Sequence, residues 1–438
     1  AIPLLLRSGH AASARSATTE AAAHFYGALD LFDALGRGDR IVEQELEILV
    51  SLGPALMNAK GFAHPDVGRV WLRAYDVSRR STTDHDLFLI VWNLWLHHHV
   101  GNERSGTIKW RDEVVRLAEK SCQEEHRLQA YHAVWTTDMP RGHFAEVRAQ
   151  CEAGISIYDP ERHHQLTYSY GGHDPGVCGH GQAALATSIL GYLERGERHA
   201  REAIRLAESL EHGPTLTIAW GWHGLLQVVN RTPSALVDRA EAEAFISEFE
   251  RGVAVIERYG SPHFLPNCQC GLGWAKVTAG RVQQGLSDIK SGIESYRGTG
   301  ATLRLPIFLY VLAETSLAIG DHAGASQAVQ DALEIIDQDG DRTFWAELMR
   351  VRAEIALAES VGPDGATETL FRQAIEVAQG QEARLSELRA GTRLAELMLA
   401  QGRREDARNL LAPIYTWFTE GLQSRDLVAA RELIDRLD

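Results

Sequence analysis

Cysteine is scarce in this chain, which has only five scattered cysteines in 438 residues. An odd, scattered set does not make a disulfide framework, so we expect a protein of the reducing cytoplasm. No apolar run approaches the roughly 20 residues of a membrane span. The opening AIPLLLR is too short for a signal peptide. The sequence therefore predicts a cytoplasmic location and no membrane partner.

Net positive charge is also lacking, because the formal charge is -15 at pH 7. Nucleic acids and anionic membranes are bound through clustered Lys and Arg, so a broad surface for either is not expected. The composition is 45% hydrophobic and 24% charged, which is typical of a chain that forms a packed core.

Strand-like alternation is nearly absent, and helical periodicity dominates. Ala325, Ala328, Val329, Ala332 and Ile336 follow the three-to-four spacing that lines one helix face. Candidate helices of about 15–20 residues succeed one another across short breaks rich in Gly, Asp and Pro. The sequence therefore predicts an all-α protein.

Glycines end many of these helices at a regular interval. Gly280 and Gly320 are 40 residues apart, Gly402 follows 82 residues later, and Gly142 and Gly191 play the same part earlier. A fixed period of helix–turn–helix units is typical of a solenoid. We predict a right-handed α-solenoid of about ten antiparallel helix pairs of tetratricopeptide type. It forms one domain, 1–438, with an alternative division into 1–170 and 171–438.

A family resemblance rests on YDPERHHQLTYSYGGHDPGVC (158–178) and LGY (190–192). LGPALMNAKGFAHPDVGRVWLRA (52–74), AVWTTDMPRG (133–142) and RNLLAPIYTWFTEG (408–421) agree with it. The chain resembles the C-terminal tetratricopeptide region of large bacterial signalling proteins that carry a nucleotide cyclase or a regulator's ATPase module. The resemblance implies a repeat domain that senses or scaffolds, with the catalytic modules upstream.

Histidine is concentrated in the first half, where ten of the 19 histidines lie between His97 and His180. Alignment of the repeat units places one set of aromatic and polar residues on the first helix of successive pairs, which lines the concave wall. This predicted ligand-binding wall comprises Trp92, Trp95, His99, His132, Trp135, Asp138, Trp220, His223, Asn267, Cys270 and Tyr310. The alternative is that these side chains fill gaps between long helices.

Metal binding is a sharper hypothesis, although no cofactor is required by any motif. His173, Asp174, Cys178 and His180 offer four donors within eight residues, but one helix cannot aim all four at one ion. Donors from other units would have to join, so the candidate ligands of a divalent metal are His98, His132, His173 and His223. The candidate catalytic residues are His132, His173, Asp174, His180 and His223.

The segment SYGGHDPGVCGHGQ (169–182) also reads as a helix entrance. Asp174 and Pro175 form an N-cap followed by the proline-tolerant first position. Gly176, Gly179 and Gly181 then cost up to about 1 kcal/mol each relative to alanine. We expect the close approach of another helix or of a ligand to offset that cost.

Two functions follow from these patterns. The first is a binding module whose concave groove takes a peptide, a protein segment or a small ligand, with homo-oligomers as further partners. The second is a hydrolase, metal-dependent in one form, that uses the His/Trp/Asp groove as its active site. Neither a GxSxG nor an HExxH motif occurs in the sequence.

Overall fold

The computed structural model describes residues 1–15, 17–35, 41–80, 84–231, 239–260, 263–338, 340–359 and 365–437. Its regular structure within these ranges is helical, without strands. The first eleven helices are α1 (Ile2–Ala14), α2 (Thr18–Ala34), α3 (Val42–Lys60), α4 (Pro65–Ser78), α5 (Asp84–Val100), α6 (Arg104–Lys120), α7 (Glu124–Asp138), α8 (Phe144–Ile157), α9 (Pro160–His163), α10 (Pro175–Ile189) and α11 (Leu193–Ser209).

The remaining eleven helices are α12 (Gly213–Asn230), α13 (Arg239–Tyr259), α14 (Leu265–Thr278), α15 (Val282–Gly298), α16 (Leu305–Ala318), α17 (His322–Asp337), α18 (Trp345–Glu359), α19 (Gly365–Gly380), α20 (Arg384–Ala400), α21 (Arg404–Thr416) and α22 (Arg425–Leu437). Short 3₁₀ segments cover Met139–Arg141 and His164–Tyr168. The prediction of an all-α repeat with about ten helix pairs is confirmed.

The chain divides into two compact units. Unit 1 contains residues 1–137 and 161–175, and unit 2 contains residues 138–160 and 176–438. The chain passes from one unit to the other three times, at the end of α7, after the first residue of α9 and at the start of α10. The domain division expected from the sequence stays a prediction.

Unit 1 is built around one apolar core. Phe25, Phe32, Trp71, Phe88 and Trp92 are among its large buried members, and they come from α2, α4 and α5. Each of the first four helices packs against the next, as antiparallel neighbours joined by short connections do.

Unit 2 repeats a two-helix pattern in which one helix of each pair also meets its equivalent in the next pair. The helices α12, α14, α16, α18 and α20 pack on one another in that order. The helix that precedes this series, α11, is amphipathic: it buries Leu193, Ala200, Ala203 and Leu206, and its arginines lie on the exposed side. The five-helix series is the inner wall of unit 2.

The helix-ending glycines have the conformation expected of them. Positive φ angles between 78° and 94° occur at Gly142, Gly191, Gly280, Gly320 and Gly402. This backbone region is strained for residues with a Cβ atom, so glycine ends these helices without that cost. No helix in the described ranges combines the length and apolar character that a membrane crossing requires.

The glycines of α10 fit against aromatic rings. A Cβ atom added at Gly176 would lie 2.6 Å from the Tyr158 ring, and one added at Gly181 would lie 2.4 Å from the Trp222 indole. Both positions therefore offset the helical cost of glycine by the close approach of a neighbouring side chain. Pro175 begins the helix, as the sequence predicts.

Candidate functional site

The predicted site residues of unit 1 form an aromatic and imidazole cluster. It draws on α5, α7 and the turn before α10, and its members are Trp92, Trp95, His99, His132, Trp135 and His173. The side chains are buried except for His173, which is half-buried. This cluster is called the Trp–His cluster below.

His132 lies at the centre of the Trp–His cluster. Its ring centroid is 5.6 Å from that of Trp92, 6.3 Å from Trp95 and 5.3 Å from Trp135. Burial holds the pKa of His132 well below its usual value, and the nearby His173 adds to the effect. The imidazole is therefore neutral at pH 7.

Hydrogen bonds satisfy two of the three indoles. Trp92 Nε1 donates to the Gln129 carbonyl at 3.2 Å, and Trp95 Nε1 donates to Thr137 Oγ1 at 2.8 Å. Trp135 Nε1 is buried and has no hydrogen-bond partner within the described ranges. Trp92 and Trp95 therefore have the contacts expected of core residues that fill gaps between long helices.

Two further candidates of unit 1 make other contacts. His98 forms an ion pair with Glu103 through Nδ1, at the start of α6. Asp174 is buried, and its Oδ2 lies 2.9 Å from His164 Nδ1. Among the predicted metal ligands of this unit, the structure brings His132 and His173 together, with Nε2 atoms 3.4 Å apart.

Trp220 and His223 of α12 turn towards α13 in unit 2. Their rings lie 5.6 Å apart, and the Arg251 guanidinium lies over the Trp220 ring. His223 Nε2 is 2.6 Å from Glu248 Oε1, and this hydrogen bond lowers the pKa of Glu248. His223 is therefore held by a carboxylate of the adjacent helix.

The other predicted residues of unit 2 are also buried. Neither amide atom of Asn267 has a hydrogen-bond partner in the described part of the chain. The Tyr310 hydroxyl also has no hydrogen-bond partner there. Cys270 Sγ faces the Ile289 carbonyl at 3.8 Å. Asp138 lies 3.5 Å from Arg141 and 3.6 Å from His143. The predicted ligand-binding residues of unit 2 thus do not present open side chains.

A chain of alternating charges, which the sequence did not predict, runs from the inner wall to α22 and is buried except at its half-buried last member. It comprises Glu314 on α16, Glu347 and Arg350 on α18, Arg389 on α20 and Asp426 on α22. Arg350 pairs with Glu314 and, at 2.8 Å, with Glu347. Arg389 is 3.1 Å from Glu347 and 2.8 Å from Asp426. These five residues form the charge ladder.

The charge ladder lowers the pKa of its central carboxylate, Glu347. Burial acts to raise the pKa of Glu347, but the guanidinium groups of Arg350 and Arg389 outweigh it and lower the pKa to about 2. Arg389 also donates to the Val229 carbonyl at 2.8 Å, which ties α20 to the end of α12. Paired charges therefore occupy the part of the inner wall that α16, α18 and α20 form.

Two open recesses flank α11 in unit 2. Recess A, of about 580 Å³, is lined by His180, Arg195, Arg198, His199, Arg201, Glu202 and Arg205. Recess B, of about 620 Å³, is bounded by α11, the end of α12, the start of α13 and residues 421–426. Arg198 and Arg201 are exposed and line both recesses.

Recess A is strongly basic. Four arginines and one glutamate line it, although the whole chain carries a net charge of -15. His180 and His199 meet inside it, with their Nδ1 atoms 3.1 Å apart. Burial lowers the pKa of His180 to about 4, and burial also lowers that of His199. The arginines supply the positive charge, because these imidazoles are neutral at pH 7.

Recess B carries equal numbers of acidic and basic side chains. The acids are Glu194, Glu197, Glu241 and Asp426, and the bases are Arg198, Arg201, Arg231 and Arg425. Buried polar atoms of Asn230, Arg231 and Ser424 have no hydrogen-bond partner in the described part of the chain. Asp426 lines the recess and also ends the charge ladder.

The arrangement of helices defines an α-helical repeat protein of the tetratricopeptide type. Its architecture is similar to that of a Rap protein complexed with competence and sporulation factor, with a TM-score of 0.58 and 9% identity. That alignment covers 91% of this chain and 100% of the Rap protein. No family model matches the sequence.

The sequence is 26% identical over 405 residues to an uncharacterized protein of Rhizobium meliloti (strain 1021). The alignment covers 92% of this chain and 38% of that protein, so the chain spans about two fifths of its relative. A signal-transduction ATPase with a tetratricopeptide sensor from Pyrococcus horikoshii has a TM-score of 0.43 and 15% identity, with 90% of this chain and 55% of that one covered.

Proposed function

We propose that this chain is a helical-repeat binding module for a peptide or protein segment with acidic side chains, which docks along α11 and enters recesses A and B. The observation that carries the proposal is the exposed pair Arg198 and Arg201, which lines both recesses. Arginine binds carboxylates through two parallel hydrogen bonds, which gives both affinity and orientation.

Accessibility supports α11 over the inner wall as the docking surface. The predicted wall residues Asn267 and Tyr310 are at most 1% exposed, and the charge ladder occupies the neighbouring helices. An external side chain reaches recesses A and B without displacing buried groups. The positive charge of recess A also opposes the acidic charge of the whole chain, which steers an acidic segment to this surface.

The proposal is tested with a displayed library of random dodecapeptides, selected on the intact chain. The most enriched peptide is then synthesised with a fluorescent label, and its Kd is measured by anisotropy. We expect enrichment of Asp and Glu, and a Kd at least about tenfold weaker, about 1.4 kcal/mol, for Arg198→Glu combined with Arg201→Glu.

The matched control is Arg297→Glu combined with Arg352→Glu, which changes the net charge equally at exposed positions of α15 and α18. This control is expected to bind like the unmodified chain. A library without enriched peptides, enriched peptides without acidic residues, or equal Kd values for both double variants would contradict the proposal.

A wider context is proposed as well: the chain is the helical-repeat part of a larger signalling protein with an upstream catalytic module. The resemblance in residues 158–178 supports this, as does the greater length of the Rhizobium meliloti relative. An antibody raised against this chain tests it in cells that express the native gene. We expect a band well above 48.4 kDa, and a band at that mass alone contradicts the proposal.

The hydrolase alternative depends on the imidazoles of the Trp–His cluster, whose central member, His132, stays neutral through burial. A neutral imidazole is suited to act as a general base or as a metal ligand. Turnover of ester, phosphoester or glycoside reporters that disappears in His132→Ala would support this alternative. The absence of turnover with all three reporters would refute it.

A further inference from the structure

The Nε2 atoms of His132 and His173 meet across unit 1. His132 belongs to α7, and His173 belongs to the turn before α10. The two Nε2 atoms are 3.4 Å apart, and the planes of the rings are inclined by 74°. The two residues are 41 positions apart in the chain, which makes this a long-range contact.

The Nδ1 atom of each ring, which is not the atom that meets the other histidine, lies close to an oxygen atom. His173 Nδ1 is 3.0 Å from the Gly171 carbonyl, and His132 Nδ1 is 3.2 Å from Gln129 Oε1. A carbonyl oxygen accepts hydrogen bonds and cannot donate them, so we assign the hydrogen of each neutral imidazole to Nδ1. With this assignment both Nε2 atoms carry a lone pair, and the two atoms are 3.4 Å apart.

A shared cation relieves the repulsion of these lone pairs. Its role is to bridge two nitrogen atoms 3.4 Å apart. A metal ion is suited to it, since metal-bound histidines characteristically donate their other N–H to a carbonyl or amide oxygen. Two nitrogens at tetrahedral positions on zinc lie about 3.3 Å apart, close to the 3.4 Å found here.

We propose that His132 and His173 bind a transition-metal ion of the zinc class through their Nε2 atoms. Imidazole nitrogen is a preferred ligand of such ions. The tryptophans around His132 make the surroundings apolar, so the ion acts structurally, by linking α7 to the turn before α10. This site is independent of the proposed peptide surface on α11.

Cobalt provides the primary test because its visible absorption reports the ligands directly. The intact chain is stripped with a chelator, incubated with Co²⁺ and dialysed, and its metal content is measured. We expect about one Co²⁺ per chain, with absorption bands in the visible region that Zn²⁺ abolishes by displacement. His132→Gln and His173→Gln are each expected to reduce the retained metal at least tenfold.

His24→Gln is the matched control, because His24 is a half-buried histidine of α2 in the same unit. Circular dichroism establishes that each variant is folded, and Zn²⁺ is expected to raise the Tm of the unmodified chain but not that of the folded His173→Gln variant. If the unmodified chain retains no metal, or if both cluster variants retain as much as His24→Gln, a direct hydrogen bond between the imidazoles accounts for the contact and the proposal is overturned.

Discussion

Gly181 of α10 lies directly against the indole of Trp222 on α12, so closely that an added Cβ atom would be 2.4 Å from Trp222 Cδ1. Alanine is the better helix former by up to about 1 kcal/mol, but here it would force the indole out of place. We expect Gly181→Ala to lower the free energy of unfolding by about 1–3 kcal/mol in urea denaturation.

A matched glycine separates this contact from helix propensity. Gly298 ends α15, and no atom lies within 4 Å of the position that a Cβ atom would occupy there. Gly298→Ala is therefore expected to leave the stability unchanged or to raise it by up to about 1 kcal/mol. Equal effects at both glycines would show that the approach of Trp222 does not explain the glycine at position 181.

Trp95 and Trp135 offer a comparison between a satisfied and an unsatisfied indole. Both are fully buried, but Trp95 Nε1 donates to Thr137, whereas Trp135 Nε1 has no partner in the described ranges. Replacement by phenylalanine removes similar volume from both sites. We expect Trp95→Phe to cost about 1 kcal/mol more than Trp135→Phe, because it also removes a hydrogen bond.

Chemical denaturation of the two variants measures that difference. Hydrogen exchange at the Trp95 indole, observed by NMR, serves as an independent check, because the bonded N–H is expected to exchange more slowly than that of Trp135. A larger loss of stability in Trp135→Phe would contradict the assignment of the hydrogen bond.

Removal of Arg350 would leave two carboxylates of the charge ladder without their shared guanidinium. Glu314 and Glu347 are buried, and Arg350 pairs with both. Breaking such a buried pair typically costs about 3–5 kcal/mol. We expect that loss in Arg350→Met, measured as the free energy of unfolding at pH 7.

The exposed neighbour Arg352 serves as the control, because Arg352→Met removes the same charge from the outer side of α18. Its expected effect is within about 0.5 kcal/mol. If Arg350→Met and Arg352→Met were equally stable, the charge ladder would contribute nothing to the fold.

The lowered pKa of His180 predicts that the stability of the fold depends on pH. Its folded pKa is about 4, against an ordinary value of 6.5. Between these pH values His180 is protonated in the unfolded chain but not in the folded chain. The stability present above pH 6.5 is therefore lost as the pH falls towards 4. The groups that act on His180 are His199, Glu202 and Arg205 of α11.

His180→Gln removes this proton and is expected to flatten the loss of stability between pH 6.5 and 4.5, by at most about 3 kcal/mol. Urea midpoints at several pH values in this range measure the effect, with His24→Gln as the control. Parallel profiles for the unmodified chain and His180→Gln would contradict the lowered pKa.

The fold could be predicted from the sequence because its signals are local. Apolar spacing such as that of Ala325, Ala328 and Val329 marks the buried face of a helix, and the glycines that end helices have the predicted positive φ. The start of α10 at Pro175 was likewise predictable, since proline is favoured at the first position of a helix.

The site was less predictable because its contacts join residues distant in the chain. The sequence groups His173 with His180, but the structure places His173 against His132 and His180 against His199. Asn267 and Tyr310 carry suitable groups, yet sequence spacing does not reveal that they are buried. The charge ladder depends on pairings such as Arg389 with Glu347, 42 residues apart.

One missed feature did leave a signal. The segment LERGERHAREAIRL (193–206) repeats arginine at intervals of three and four residues, at positions 195, 198, 201 and 205. This spacing places the four guanidinium groups on one side of a single helix, and in an acidic chain such a side is a candidate anionic-ligand surface.

The most direct test of the central claim is to locate the bound peptide by hydrogen–deuterium exchange of the intact chain with and without the selected acidic dodecapeptide. We predict slower exchange in α11 and in residues 421–426, which border recess B. Slower exchange in α14 and α16 alone, with exchange in α11 unchanged, would contradict the account. That result would show that the peptide binds at the inner wall.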